Sequence, residues 1–392
     1  MTKLFAGASK REVTPEVGVY LGGYFERSSP STGLHDPLFS RAVYLSDGVE
    51  EVLIVGNDQL CLSNVTTPGY LDAVRESIES RTSVKQDNTI IFATHTHGAP
   101  DPFETFGPNE RNTTYFKRLQ EEMVEVAVEA YSKRREAKVY WAKDNSDLGI
   151  NRRSPKSGPM DPELITVRIS SPDDGVKALL VSYACHGVVL GPDNLLVSAD
   201  WIGYLESKLE AIYAPAVVMF LPGTSGNINP RTRDLEEKLA SGGDIYDRTG
   251  GTFEEMERIG SMMVDEVQRA LSRATPSQEA RVRNRVANVD VRIENKMILD
   301  MVGKEEIRTK VSATQVGDLL IVGLPGEAFV EYGLRLKSIS KHVTIPLTLA
   351  NDYVGYLPTN EAFAEGGYEP GVSVGRTGVA AMISAAENLV RS

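Results

Sequence analysis

The segment Asn88–Pro100, NTIIFATHTHGAP, constrains this chain more than any other stretch. Ile90-Ile91-Phe92-Ala93 is a short β-branched and aromatic run that stops abruptly at Thr94-His95-Thr96-His97-Gly98. An apolar run of this length, closed by a glycine, predicts a buried strand. In extended backbone, residues i and i+2 project to the same face, so His95 and His97 can both look into a cleft at the strand's end. Neutral imidazole is the commonest metal ligand in proteins, and an HxH pair offers two nitrogens from one short piece of chain. A polar strand end that is merely solvated is the competing reading, and HxH alone does not decide between them.

The same form recurs along the chain. The apolar run 178–184 ends in Cys185-His186-Gly187, and 319–324 runs into Pro325-Gly326-Glu327. Tyr356 sits in a glycine-bordered turn, Gly355-Tyr356-Leu357-Pro358. Two or three histidines, one carboxylate and an open position make up the donor set of a hydrolytic zinc ion. Two members keep a second reading at this stage. Glu327 could open a helix, its charge complementing the N-terminal dipole, and Tyr356 could simply pack its ring.

Strands are expected at 39–45, 51–55, 90–93, 138–142, 163–170, 178–184, 216–221, 282–293, 319–324 and 343–349. Helical spacing of apolar residues appears at 70–80, 115–135, 200–213, 254–272, 328–336 and 375–390. Residues 1–36 are rich in Gly and Pro, and the polar stretch 235–251 reads as a surface excursion. The Met residues of 256–263 fit a core-facing helix better than a lipid platform. Strands alternating with helices give an α/β fold, and the extended segments clustered after Arg281 make its sheets mixed. Polar loops at strand ends are where such sheets carry their sites.

The net charge of −12 argues against nucleic acid or an anionic membrane as the principal partner. No window approaches 18 uninterrupted apolar residues, so no transmembrane segment is expected. Met1–Gly7 has no apolar core of signal-peptide length. Cys61 and Cys185 lie singly in apolar surroundings, which fits a reducing compartment. A cytoplasmic protein is the expectation from these features.

Read together, THTHG at 94–98, NR at 151–152, CHG at 185–187, GNINP at 226–230, LPGE at 324–327 and GYLPTNEAF with GGYE across 355–369 resemble the neutral/alkaline (non-lysosomal) ceramidase family. GLHDPLFSRA at 33–42 and GASKREVTPE at 7–16 resemble it too, so the likeness spans nearly the whole chain. It implies a zinc amidohydrolase with one zinc ion per chain, held by His95, His186, Glu327 and Tyr356. It further implies that His97 and Tyr368 stabilise the oxyanion as metal-activated water attacks the carbonyl, with Arg152 lining the site and Glu327 or a neighbour moving the proton. Because the family's NRSP is NRRSP here, Arg153 is a register alternative to Arg152. The family's carboxy-terminal immunoglobulin-like domain is missing from this sequence, so residues 1–392 are expected to form a single catalytic domain.

One segment departs from the family. Its GDVSPN is matched here by Gly226-Asn227-Ile228-Asn229-Pro230-Arg231, which replaces the aspartate by Asn227 and the serine by Asn229. A serine nucleophile is thereby disfavoured, and Asn227 and Asn229 become candidate substrate contacts, with His35 a third. The expectation is a retained reaction on a changed, small-molecule or lipid-like substrate, an amide or else an ester or lactone. A true ceramidase and a zinc-stabilised binding protein are the alternatives; the oligomeric state is not legible.

Overall fold

The structure is a computed structural model that describes residues 3–172, 175–242 and 251–392. Its main sheet is built from β1 (Leu4–Glu12), β2 (Phe39–Ser46), β3 (Glu51–Asn57), β4 (Thr89–Ala93), β5 (Arg135–Asn145), β6 (Glu163–Ser171), β7 (Gly175–Tyr183) and β8 (Val217–Pro222). Their order across the sheet is β8-β7-β6-β5-β1-β2-β3-β4. The interior pairs are antiparallel, while β7 with β8 and β3 with β4 run parallel. A second sheet contains β9 (Val282–Arg292), β10 (Glu306–Val316), β11 (Leu319–Gly323) and β12 (Val343–Leu347), again mixed.

The two sheets pack face to face, and helices cover their outer faces. Alternation along β4 shows how: Ile90 and Phe92 join Val43, Ile54, Leu180, Leu221, Ile321 and Ile345 between the sheets. Ile91 points the other way, toward Leu71 and Ile78 of α1 (Tyr70–Arg81) and Leu119 and Met123 of α2 (Glu110–Ser132). Leu179, Val181 and Phe220 pack on α3 (Asp200–Ile212) and α4 (Phe253–Leu271), where Met256 and Met263 are core residues as expected. The outer face of the second sheet meets α5 (Val330–Ile339) and α6 (Arg376–Arg391) through Leu320, Val322, Leu336 and Met382. Strands buried on both faces must be apolar throughout, which accounts for their continuous hydrophobic runs. Among the described residues no helix is long and apolar enough to cross a membrane.

The mixed α/β class is as expected, with local corrections. Glu306–Val316, not expected as a strand, forms β10 and pairs with both β9 and β11. The Gly/Pro-rich first segment contributes β1, because its alternating Leu4, Ala6 and neighbours pair with both β2 and β5. The polar stretch after Arg231 contains a helix, Arg233–Ser241, whose Thr232 hydroxyl accepts from Leu235 N; residues 243–250 of that stretch lie outside the described residues. The helix expected at 115–135 begins at Glu110, since Asn109 caps it through Arg111 N and Asn112 N.

The sheets are arranged so that their strand ends meet. A Cβ on Gly187 would stand 2.9 Å from Thr94 O and 3.1 Å from His95 O, so the turn after β7 packs directly on the turn after β4. A Cβ on Gly226 would stand 2.4 Å from Glu327 O, which locks the loop after β8 onto the loop after β11.

Candidate metal centre

His95 leaves β4 with φ +69, a left-handed conformation uncommon outside glycine. The twist is held by two hydrogen bonds to the loop after β3. His95 N donates to Gln59 O at 2.9 Å, and the ring Nδ1 lies 2.7 Å from Leu60 O. His186 is held alike, its Nδ1 2.6 Å from Ser225 O. A carbonyl oxygen only accepts, so each ring carries a proton on Nδ1 and, in its neutral form, presents a bare Nε2. Those nitrogens converge on one carboxylate oxygen: Glu327 Oε2 lies 3.2 Å from His95 Nε2 and 3.1 Å from His186 Nε2. All three side chains are buried, and the three atoms lie within 4.8 Å of one another.

Three acceptors pressed together repel unless something positive lies among them. A single proton could bridge one of the two nitrogen–oxygen contacts, whereas a divalent cation engages all three. The protonation states agree with this. Burial holds the His186 imidazole down to about 4, against the opposing pull of Glu327. Burial would raise the Glu327 carboxyl, but His95 and His186 bring it well below the usual range. A neutral His186 imidazole beside a carboxylate is a state that binds metal. The donor set, two nitrogens and one oxygen, suits zinc or a similar first-row ion.

The remaining expected residues surround this cluster. Glu327-Ala328 and Tyr356-Leu357 form a two-residue parallel ladder in which Glu327 is paired with Tyr356, so the buried phenol emerges beside the carboxylate. Of its two readings, Glu327 therefore takes the site-facing one: α5 starts only at Val330. The Tyr368 ring stands 5.7 Å from that of Tyr356 and is half-exposed at the rim. His97 packs its ring 5.0 Å from His95, with the two Nε2 atoms 3.5 Å apart. A Cβ on Gly23 would come within 2.3 Å of the His97 ring, and Tyr24 lies edge-on at 4.8 Å. Arg27 donates to the His97 carbonyl at 2.5 Å.

These groups form one end of a cleft of about 140 Å³. Its other walls are apolar: Phe25, Val65, Phe103, Phe106 and Val354, with Met297, Ile298, Met301 and Val302 of the short helix Lys296–Val302. Of the large apolar side chains that remain exposed, Phe25, Met297, Met301 and Tyr368 all line this cleft.

Arg152 is buried behind Tyr356, its guanidinium carbon 5.5 Å from the ring centroid. Its donors are engaged by Glu369 at 2.8 Å, Gly226 O at 2.6 Å and Asn229 Oδ1 at 3.3 Å. Arg153 reaches the other Glu369 oxygen and then turns outward to Glu365, so the two arginines are not equivalent. Asn229 is fully buried on Arg152, with Nδ2 unpartnered, and does not line the cleft. Asn227 is occupied structurally: Oδ1 accepts from Val330 N at the start of α5, and Nδ2 donates to Glu331. His35 stacks on Phe253 of α4 at 3.8 Å and also stands outside the cleft lining.

Two contributors were not read from the sequence. Tyr353 donates a 2.7 Å hydrogen bond to Glu327 Oε1, and Glu369 anchors both arginines. Glu369 follows Tyr368 directly in the GGYE segment, a signal that could have found it. Tyr353 lies in Asn351-Asp352-Tyr353, which carries no local mark of its role.

Comparison with known proteins places this geometry in context. Residues 5–309 match the family model described as neutral/alkaline non-lysosomal ceramidase, N-terminal. The chain is 22% identical over 274 residues to a neutral ceramidase of Oryza sativa subsp. japonica, covering 60% of this chain and 35% of that protein. It thus spans about a third of the length of this curated relative. The crystal structure of neutral ceramidase from Pseudomonas aeruginosa superposes with a TM-score of 0.81 at 16% identity, covering 100% of this chain and 74% of the other. A structure described as ceramidase complexed with C2 gives 0.80 at 16% identity, covering 100% and 75%. At that identity the likeness is one of fold.

Proposed function

The chain belongs to the neutral/alkaline non-lysosomal ceramidase family, and on that premise we propose that it is a metal-dependent hydrolase cleaving the amide bond of a lipid-like N-acyl substrate. The observation that carries the reading is the convergence of His95 Nε2, His186 Nε2 and Glu327 Oε2, with His95 and Glu327 lining the end of an apolar cleft. These residues would hold the ion, with Tyr356 beside them as the fourth ligand. Zinc bound there would supply Lewis-acid polarisation of the carbonyl and a water of lowered pKa.

The chain's own residues supply the rest. The apolar walls orient an amphiphile with its polar amide toward the histidines, and they exclude water from the reacting end. Tyr368 keeps its proton, because the partial burial of its phenol and the nearby Glu327 push it up to about 12. It is therefore a neutral O–H donor for negative charge developing on the carbonyl oxygen. Burial, and the proximity of His95 and His186, hold His97 well below its usual value, so it too acts as a neutral hydrogen-bonding group. Arg152 contributes by fixing Tyr356 and the 226–229 loop.

Hydrolysis of N-acylsphingosines, simpler N-acyl amides, esters and lactones by zinc-loaded protein tests the proposal. Turnover of an N-acyl amide is expected, with kcat lowered about 100-fold or more by His97→Gln at unchanged zinc content. Absence of turnover on the whole panel would contradict the reading, as would a His97→Gln variant with wild-type kcat.

A further inference from the structure

The two oxygens of Glu327 have different neighbours. Oε2 faces the Nε2 atoms of His95 and His186, while Oε1 accepts the Tyr353 hydroxyl at 2.7 Å. A carboxylate free to rotate could present either oxygen, or both, to a cation. A fixed donor on one of them removes that freedom.

Tyr353 is itself firmly held. Its N–H donates to Asp352 Oδ1 at 2.9 Å, and its carbonyl accepts from Ser63 Oγ at 3.0 Å. Ser63 Oγ and Asn64 N both bind Asp352 Oδ1 at 2.9 Å, which fastens the tyrosine to the loop after β3. The ring packs beside Phe103 and against a small cluster of Leu60, Cys61 and Leu349. Leu60 is the residue whose carbonyl receives the His95 Nδ1 proton. One loop, residues 60–64, therefore orients His95 directly and Glu327 through Tyr353.

We propose that Tyr353 is a positioning residue that fixes Glu327 as a one-oxygen ligand and so sets the affinity of the site for its metal ion. The inference rests on the metal-centre reading above. Groups that orient a metal ligand in this way contribute about 10- to 100-fold in metal affinity.

The test is zinc affinity of metal-stripped protein, measured by competition with a chromophoric chelator, for wild type and Tyr353→Phe. The phenylalanine keeps the ring packing and deletes only the donor. The zinc dissociation constant should rise about 10- to 100-fold, with the metal-free melting temperature unchanged and kcat recovered at saturating zinc. On a Glu327→Gln background, Tyr353→Phe should cause no further loss. Ser63→Ala, which loosens Tyr353 from behind without touching the phenol, should weaken zinc in the same direction. Unchanged zinc affinity in both single variants would overturn the inference, and a loss of kcat with unchanged affinity would reassign the phenol to the substrate. A wild-type chain that binds no zinc would instead overturn the metal-centre reading itself.

Discussion

Glu369 shows how the site is held from behind. It is fully buried, yet it accepts from Arg152 Nε and Arg153 at 2.8 Å each. Burial alone would raise its carboxyl, but the two guanidinium groups outweigh it and hold the group below its usual value of 4.5. A carboxyl with a depressed folded-state pKa contributes stability that is present above pH 4.5 and is lost as pH falls through the folded value. Glu369→Gln should therefore remove part of the stability lost on acidification below that pH. It should also cost on the order of 3 kcal/mol at neutral pH, because Arg152 is left buried without its charge partner. Denaturant melts of both proteins across that range check this; parallel pH profiles would contradict it. At this scale glycine-bordered strand ends marked His95, His186 and Glu327, whereas Tyr356 entered the ligand set only through the family resemblance. The sequence hid Tyr353, and it named Asn227 and His35, which stand outside the cleft lining. Asn227 caps a helix and His35 stacks on a phenylalanine, and partners so distant in sequence leave no local pattern.

Among the elements, the long amphipathic helices and most of the buried strands were legible within a few residues, because their periodicity is set by burial on one face or two; β1 and β10 were not read as strands. The helix Lys296–Val302 was not. It is seven residues long, capped by Asn295 and closed by Gly303 at φ +70, too short to show a period. Its placement is functionally the more telling, since Met297 and Met301 are exposed at the cleft mouth opposite Phe25. Asn295 Nδ2 donates to Gly371 O, which ties this helix to the Tyr368 segment. Met297→Asp with Met301→Asp should leave stability within about 0.5 kcal/mol, as expected of surface positions. Burying one such side chain against an apolar chain is worth about 1.5–3 kcal/mol, so kcat/KM for a long-chain amide should fall about tenfold or more. Short-chain amides should be spared. An equal loss for both chain lengths would show that the helix does not contact the apolar part of the substrate.

For the whole molecule, the α/β class followed from the alternation of strands and helices, but the arrangement of its layers did not. The turn after β4 meets the turn after β7 although the two strands, both in the main sheet, are neither neighbours in its order nor hydrogen-bonded to one another. That long-range packing builds the cluster, and it brings His95 Nε2 and His186 Nε2 to 3.2 and 3.1 Å from the one Glu327 oxygen, Oε2. The most direct test is the metal content of purified wild-type protein beside His186→Ala, read by elemental analysis. The account predicts about one zinc or similar divalent ion per wild-type chain, lost in His186→Ala without loss of the folded state. A well-folded wild type that retains no metal and takes up none from added zinc would contradict it.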